Sequence, residues 1–564
     1  MAPTVSAAPV PAPSLQARER PELDSERPEY WATHVGEPDR YAELFPRLDA
    51  FFGSDWNEDE NVPKPDYARV VGPLTRSYVD SASRLDAKQR GRLMLLLSRT
   101  RDVRTEPAVK LSLSQYVEGR FKGERSSDVR FALRLAHGLK LVSCRDLLLQ
   151  VFLKFRQSDV RDGGLRSTMP LAMLDLADAS WLPALSQKLT QPMAPLRDRA
   201  EVDDDEPSDE ENEYTDQLFW QTTAIRVLGR LRDPRAVEPL VQVLLDSEKG
   251  ELHDAALLAL TAIGRPVLQR ALALVRSAEE QAQVGGQLLG ELGLAYGVEP
   301  LIDALNREPN AVARAFMARA LTRMPATTNS LAAFKRAYES VPPKTSLREG
   351  FIDPLDARET LADAARNFAD PQLVPWLLLH AARARGAEVE RAGIRLHLLA
   401  SAIYLATPAQ LPSVKKAVAR FGSAALRVFV EEAERAMADC REEADCYVDS
   451  SAALAKPYLD QQTALPTRAY CLKSMYRLAQ LGGPTHAVEL AELLTGESDP
   501  PLASVAAQVI DHLVPAGSKP LEARLARHFV HEDGHSYSGH PATAPLESTL
   551  HRLRIRSSAP APAP

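Results

Sequence analysis

Residues 222–245, TTAIRVLGRLRDPRAVEPLVQVLL, decide the fold: a helix, a tight Gly/Asp/Pro turn and a second helix. Asp233 stands where its carboxylate can cap the free N–H groups of the second helix, and Pro234 takes the first helical position, where a missing N–H costs nothing. Val237, Leu240, Val241, Leu244 and Leu245 follow at i, i+3, i+4, i+7 and i+8. That spacing predicts one buried helical face. Pro239 removes a backbone bond in the second turn and predicts a kink there.

Sliding this hairpin along the chain finds looser copies. DPRAVEPL at 233–240 is echoed by DASWLPAL (178–185), YGVEPL (296–301), DPQLVPWL (370–377) and GPTHAVEL (483–490). LGRL at 228–231 has counterparts in LGEL (289–292) and LAQLGG (478–483), each just before a turn. Stacked helical hairpins follow from such repetition.

The chain is 564 residues long, beyond one compact core, which points to several domains or an elongated array. Its apolar fraction of 45% with only 6% aromatic residues suits helix packed on helix. A net charge of −8 provides no global field for nucleic acid, and no Lys/Arg cluster with interleaved aromatics appears. No apolar run reaches the length of a membrane span. The start, MAPTVSAAPVPAPS, has no basic region followed by an apolar one, so the expected location is cytoplasmic unless a leader was removed, in which case it is the periplasm or cell envelope.

In chain order, 1–28 is a Pro/Ala-rich lead-in and 29–200 holds a helical cap and repeats, with helices at 67–83, 86–99, 105–119, 127–138, 143–157, 165–177 and 180–190. Residues 201–216, EVDDDEPSDEENEYTD, carry ten acids and no base and read as a solvated acidic loop. Counted from Asp203, Ser208 and Tyr214 occupy the positions where a calcium loop needs Gly and Glu. The most regular repeats occupy 217–340, where Gly285 and Gly286 read as a close helix contact. A long connection spans 341–355, and further repeats fill 356–530 with a cysteine segment at 440–446. A His/Gly/Ser loop (531–545), a short helix (546–556) and a tail (557–564) complete the chain.

Of four cysteines, Cys144 and Cys471 sit in apolar helical contexts and read as packed thiols. Cys440 and Cys446, in ADCREEADCY, lie close enough for a local disulfide where geometry and compartment permit one.

These repeats resemble HEAT repeats, particularly the short bacterial type grouped with phycobilisome-lyase-like HEAT repeats. The likeness is densest over 217–340 and extends over 67–190 and 356–529. DQLFWQTTAIRVLG after an acidic stretch, DPQLVPWLL, CREEADCY, LAQLGGP and VIDHLVPAG also resemble a group of bacterial HEAT-repeat proteins, many of them predicted envelope lipoproteins. The resemblance implies an all-α solenoid without significant β-sheet and a disulfide joining Cys440 to Cys446. It implies no activity, and the chain lacks the lipobox cysteine with which such proteins often begin.

HEDGH at 531–535 is a literal H-E-x-x-H. Zinc proteases place those two histidines on one helix face with the glutamate as general base. Here Asp533 and Gly534 fill the variable positions and SYSGHP follows, which favours a polar loop. His531, His535 and His540, with His528 nearby, are the metal candidates; a zinc-dependent hydrolase is the remote alternative. A phycobilin-lyase-like enzyme is another, although no chromophore-handling constellation is present. No catalytic set, cofactor fingerprint or cofactor emerges. The expected function is therefore a non-enzymatic scaffold or adaptor whose solenoid surface binds a protein partner. The helices after each D-P-type turn, at 235–245, 299–305, 372–382 and 486–494, are expected to line its concave side.

Overall fold

The computed structural model describes residues 24–53, 66–120, 127–156, 163–194, 209–277, 280–342, 345–347, 355–384, 389–455, 464–494, 499–527 and 544–557. Most of these residues are helical, in two compact units. Residues 1–154 with 159–169 form the first, and 155–158 with 170–564 the second. The division falls within the helix Gly163–Asp175.

The first unit contains α1 (Pro28–His34), α2 (Pro38–Phe52), α3 (Ala68–Ser81), α4 (Ala87–Thr100), α5 (Glu106–Val117), α6 (Ser127–Gly138) and α7 (Arg145–Lys154). Here α1 packs on α3, α3 on α5 and α5 on α7, while α4 packs on α6. Asp128 is fully buried between them. Tyr78 donates to its carboxylate at 3.1 Å and Ser112 at 3.3 Å, and Arg90 lies 3.7 Å away. Burial raises the Asp128 pKa, against the opposing pull of Arg90.

The straddling helix is α8 (Gly163–Asp175). The second unit continues with α9 (Leu182–Leu189), α10 (Asp209–Leu231), α11 (Val237–Leu245), α12 (His253–Ile263), α13 (Arg265–Val275), α14 (Glu280–Leu292), α15 (Val298–Arg307), α16 (Ala311–Leu321) and α17 (Thr328–Ser340). Then come α18 (Ala357–Ala364), α19 (Val374–Arg383), α20 (Val389–Leu405), α21 (Leu411–Phe421), α22 (Ala424–Cys440), α23 (Ala444–Asp449), α24 (Ala464–Leu481), α25 (Pro484–Leu493), α26 (Pro500–Leu513), α27 (Lys519–Arg527) and α28 (Ala544–Ser557). The even-numbered helices from α10 to α26 pack each on the next as an inner row, and the odd-numbered helices cover one side of it.

Six turns share one design. An Asp, or in two cases a Leu, precedes a three-residue 3-10 turn, and an α-helix starts on the fourth residue. Asp102, Asp178, Asp233 and Asp370 each accept the backbone N–H two residues on. Leu141 and Leu294 occupy the same place without that bond. The residue before the cap is left-handed in five of the six: Arg101, Lys140, Arg232, Gly293 and Ala369. In those five, four non-glycine residues accept the steric cost of that conformation. The design also removes the expected kink at Pro239. The helix restarts at Val237 after the 3-10 turn, so Pro239 lies in its first turn, where an N–H has no intrahelical partner to lose.

Other departures from the sequence reading are local. Residues 209–216 are not loop but the first turns of α10, with Tyr214 and Asp216 buried. The 341–355 connection carries a two-residue strand, Ser346–Leu347, pairing antiparallel with Leu355–Asp356. The closing helix runs over Ala544–Ser557.

Small residues set the closest approaches of α14 to its neighbours. A Cβ at Gly285 would meet the Val275 nitrogen at 2.5 Å and the Ala271 carbonyl oxygen at 2.9 Å, and one at Gly290 would meet Ala320 at 2.8 Å. The first contact is with backbone, which cannot swing aside. Gly285→Ala should therefore lower stability by about 2 kcal/mol in urea unfolding, despite alanine's better helix propensity. Gly72→Ala in α3, where a Cβ meets nothing within 4 Å, should be neutral or stabilising.

The helices after the D-P-type turns, α11, α15, α19 and α25, keep one exposed face, whereas α14 and α16 are buried around most of their circumference. An outer helix packs on one side only and stays amphipathic; an inner helix has neighbours on both sides and reads as apolar and small all round. The inner row is not open along its length, because α28 packs on α26 and also returns to α12 and α14.

Candidate interaction surface

Helices α17 and α19 meet in a cluster of aromatic side chains, of which Trp376 and His380 are partly exposed and Tyr338 and Phe334 are buried. The Asp370 turn launches α19 so that Trp376 and His380 stand one helical turn apart on the side facing α17. Tyr338 meets Trp376 edge-on at 5.0 Å and His380 at 5.3 Å, and the Trp376 and His380 rings are 4.6 Å apart. Glu339 of α17 accepts from Trp376 Nε1 at 3.2 Å and lies 3.1 Å from His380 Nε2. Those bonds, the Trp376 one foremost, hold the Glu339 carboxyl below its ordinary range, and burial lowers His380. Burial also pushes Tyr338 up to about 12. Beside them Leu379 is 47% exposed.

The PBS lyase HEAT-like repeat family matches residues 220–246, the second half of α10 with the Asp233 turn and α11. The same turn recurs on both units. That hairpin is similar to a HEAT repeat. A crystal structure of importin beta is similar at 10% identity with a TM-score of 0.31, covering 90% of this chain and 70% of that one. No curated protein matches.

The segment 372–382 thus supplies the partly exposed Trp376 and His380 of the cluster. Segment 235–245 borders a second outer feature, a cleft of about 960 Å³ between α9 and α11 lined by Glu238, Gln242, Asp246 and Glu248. Glu238 is engaged there by Arg270 of the next outer helix at 2.9 Å. Lys249 at the cleft edge is turned inward, its ammonium donating to the Leu189 carbonyl.

Cys440 and Cys446 are bonded, with Cα atoms 5.2 Å apart, across the turn from α22 into α23. The turn also pairs Glu442 with Arg477 and Asp445 with His486 at 3.0 Å each. Cys144 and Cys471 are free and buried. His528, His531, His535 and His540, and with them HEDGH, lie outside the described residues. Among the described residues no group of three His, Cys, Asp or Glu side chains is placed to hold a metal, and no helix is long and apolar enough to cross a membrane.

The sequence reading missed the polar groups of the inner row. Asp363 of α18 pairs with Arg366 at 2.8 Å and lies 3.5 Å from His397 of α20. The Asp363 hydrogen bond raises the His397 pKa, with further help from Glu359 and against burial and Arg366. A folded pKa above the unfolded one near 6.5 gives stability that is complete below pH 6.5 and lost as pH rises through the folded value. Both side chains are more than a third exposed, so screening limits the effect to on the order of 0.5 kcal/mol. Urea midpoints at pH 6.0 and 8.5 should show wild type losing that margin over His397→Gln as pH rises.

Proposed function

We propose that this chain is a non-enzymatic HEAT-repeat scaffold that binds a protein partner through the outer helix faces of its second unit, centred on Trp376 and Leu379. The observation that carries the reading is the aromatic patch itself. Trp dominates binding hot spots because it buries a large rigid area at low entropic cost, and here the partly exposed Trp376 is preorganised by Glu339 and Phe334. The titratable groups at the patch are engaged with one another: Glu339 faces both Trp376 and His380, which suits recognition more than proton transfer.

The test is affinity capture from the native host with the full chain, comparing wild type with the Trp376→Ala/Leu379→Asp double variant at equal helicity. A partner retained by wild type and lost by the variant supports the reading. A partner held equally by both removes the patch from it, and turnover of a substrate by the purified chain with no partner captured removes the scaffold reading altogether.

A further inference from the structure

The surface beneath α28 is built to receive arginines. The C-terminal ends of α14 and α26 converge there, and helix C-termini present unpaired carbonyls and a partial negative charge. Arg552 donates to the Asp511 carboxylate at 2.6 Å, to the Glu291 carbonyl at 3.4 Å and toward its carboxylate at 3.5 Å. Arg556, one turn on, donates to the Asp511 carboxylate at 3.2 Å and to the carbonyls of Val514 and Gly293 at 3.5 and 3.4 Å. Ser548 adds a bond to Glu291 at 3.1 Å, and Thr549 one to Asp511 at 3.1 Å. The apolar side is matched too: Leu550 and Leu553 are buried, and Ile555 lies where a Cβ at Gly264 would stand 3.0 Å from it.

Two features separate α28 from an ordinary repeat helix. Its partners on α12 and α14 lie more than 250 residues earlier in the chain. Its recognition groups are two arginines at i and i+4, read by two carboxylates and at least three carbonyls.

The geometry points to α28 as the intramolecular occupant of a docking site for a helix from a protein partner, one that presents arginines at i and i+4 beside a Leu/Ile stripe. This deepens the scaffold reading and rests on it, naming the partner's chemistry and a second surface. Because α28 belongs to the same chain, a competing helix must exceed its intramolecular affinity or arrive when α28 is released. Complementary charge sets both the register and the salt sensitivity of such a contact.

The experiment uses the full chain and a labelled peptide of residues 544–557 as probe. In the Arg552→Ser/Arg556→Ser variant the peptide should bind at least tenfold more tightly than to wild type, weaken with added salt, and lose binding when its own two arginines are replaced by serine. Equal, negligible binding to both chains overturns the proposal, provided the variant keeps its helicity. Should the variant unfold, a protease site placed within 528–543 of the wild-type chain decides. After cleavage, release of the 544–557 helix in 0.5 M salt from a body that stays helical supports an exchangeable occupant, and a body that unfolds or never releases it marks a permanent strut and overturns the proposal. Partner capture that depends on Trp376 and survives these failures leaves the scaffold reading standing.

Discussion

Asp511→Ala should detach α28 from the second unit at a cost of about 3–5 kcal/mol, because two guanidinium groups lose the carboxylate between them while still buried. Asp511, Arg552 and Arg556 have side-chain exposures of 14%, 10% and 8%. Surface pairs contribute little because water replaces the lost partner, and here water has scant access. The loss should be local at first, since α28 is the last described helix and no later helix packs on it. Hydrogen exchange should therefore show protection vanishing over 546–557 while α20 and α24 keep theirs. Asp511→Asn, which preserves shape and one acceptor, should cost less than half as much. Equal exchange over 546–557 in wild type and Asp511→Ala would show that the Leu550 and Leu553 contacts alone hold the helix.

The helix boundaries and the hairpin repeat were legible in the sequence because both are local. Each depends on a cap, a turn and a 3.6-residue stripe, and seven helices between 67 and 190 lie close to their expected places. Gly285 and Gly286 were legible as a close contact because nothing else explains two glycines inside an apolar helix. The side on which each helix faces was not. The D-P-type turn marks the start of a strongly amphipathic helix, and amphipathicity signals one buried face without saying whether the other looks into or out of the array. The inner helices carried the answer in their composition: VGGQLLGEL of α14 and AVARAFMARAL of α16 are small or apolar nearly all round, as a helix with neighbours on both sides must be. The closure by α28 had no local signal at all. HRLRIR reads as a basic surface helix until Asp511 and Glu291, far apart in the chain, are brought together beneath it. The Trp376 patch was half legible: Trp376 and His380 share a face by spacing, but Glu339 and Tyr338 reach them only through packing.

Lys473→Met should cost about 3 kcal/mol or more, although it replaces a buried cation by an apolar side chain of similar length. The Lys473 ammonium is fully buried and donates to the carbonyls of Ile403 and Tyr404 at 3.0 Å and of Ala406 at 2.5 Å, the last carbonyls of α20. Gln480 takes the fourth, that of Leu405, at 3.0 Å. A helix C-terminus exposed to solvent would be satisfied by water, but this one is packed against α24, so one lysine does the work of a capping motif. Methionine recovers the cost of desolvating the ammonium and leaves three buried acceptors empty, each worth roughly 1–3 kcal/mol, so the loss exceeds the gain. The pH dependence has a definite sign. Burial, then the Arg477 cation, lowers the Lys473 pKa well below the ordinary lysine value. The unfolded chain then binds the proton more readily, so the lysine's contribution falls as pH drops through the folded pKa and is fullest above the unfolded one. The difference in urea midpoint between wild type and Lys473→Met should accordingly widen from pH 7 to pH 10. A constant or shrinking difference would mean that the three carbonyls hold the ammonium charged throughout, with the helix-end charge outweighing desolvation.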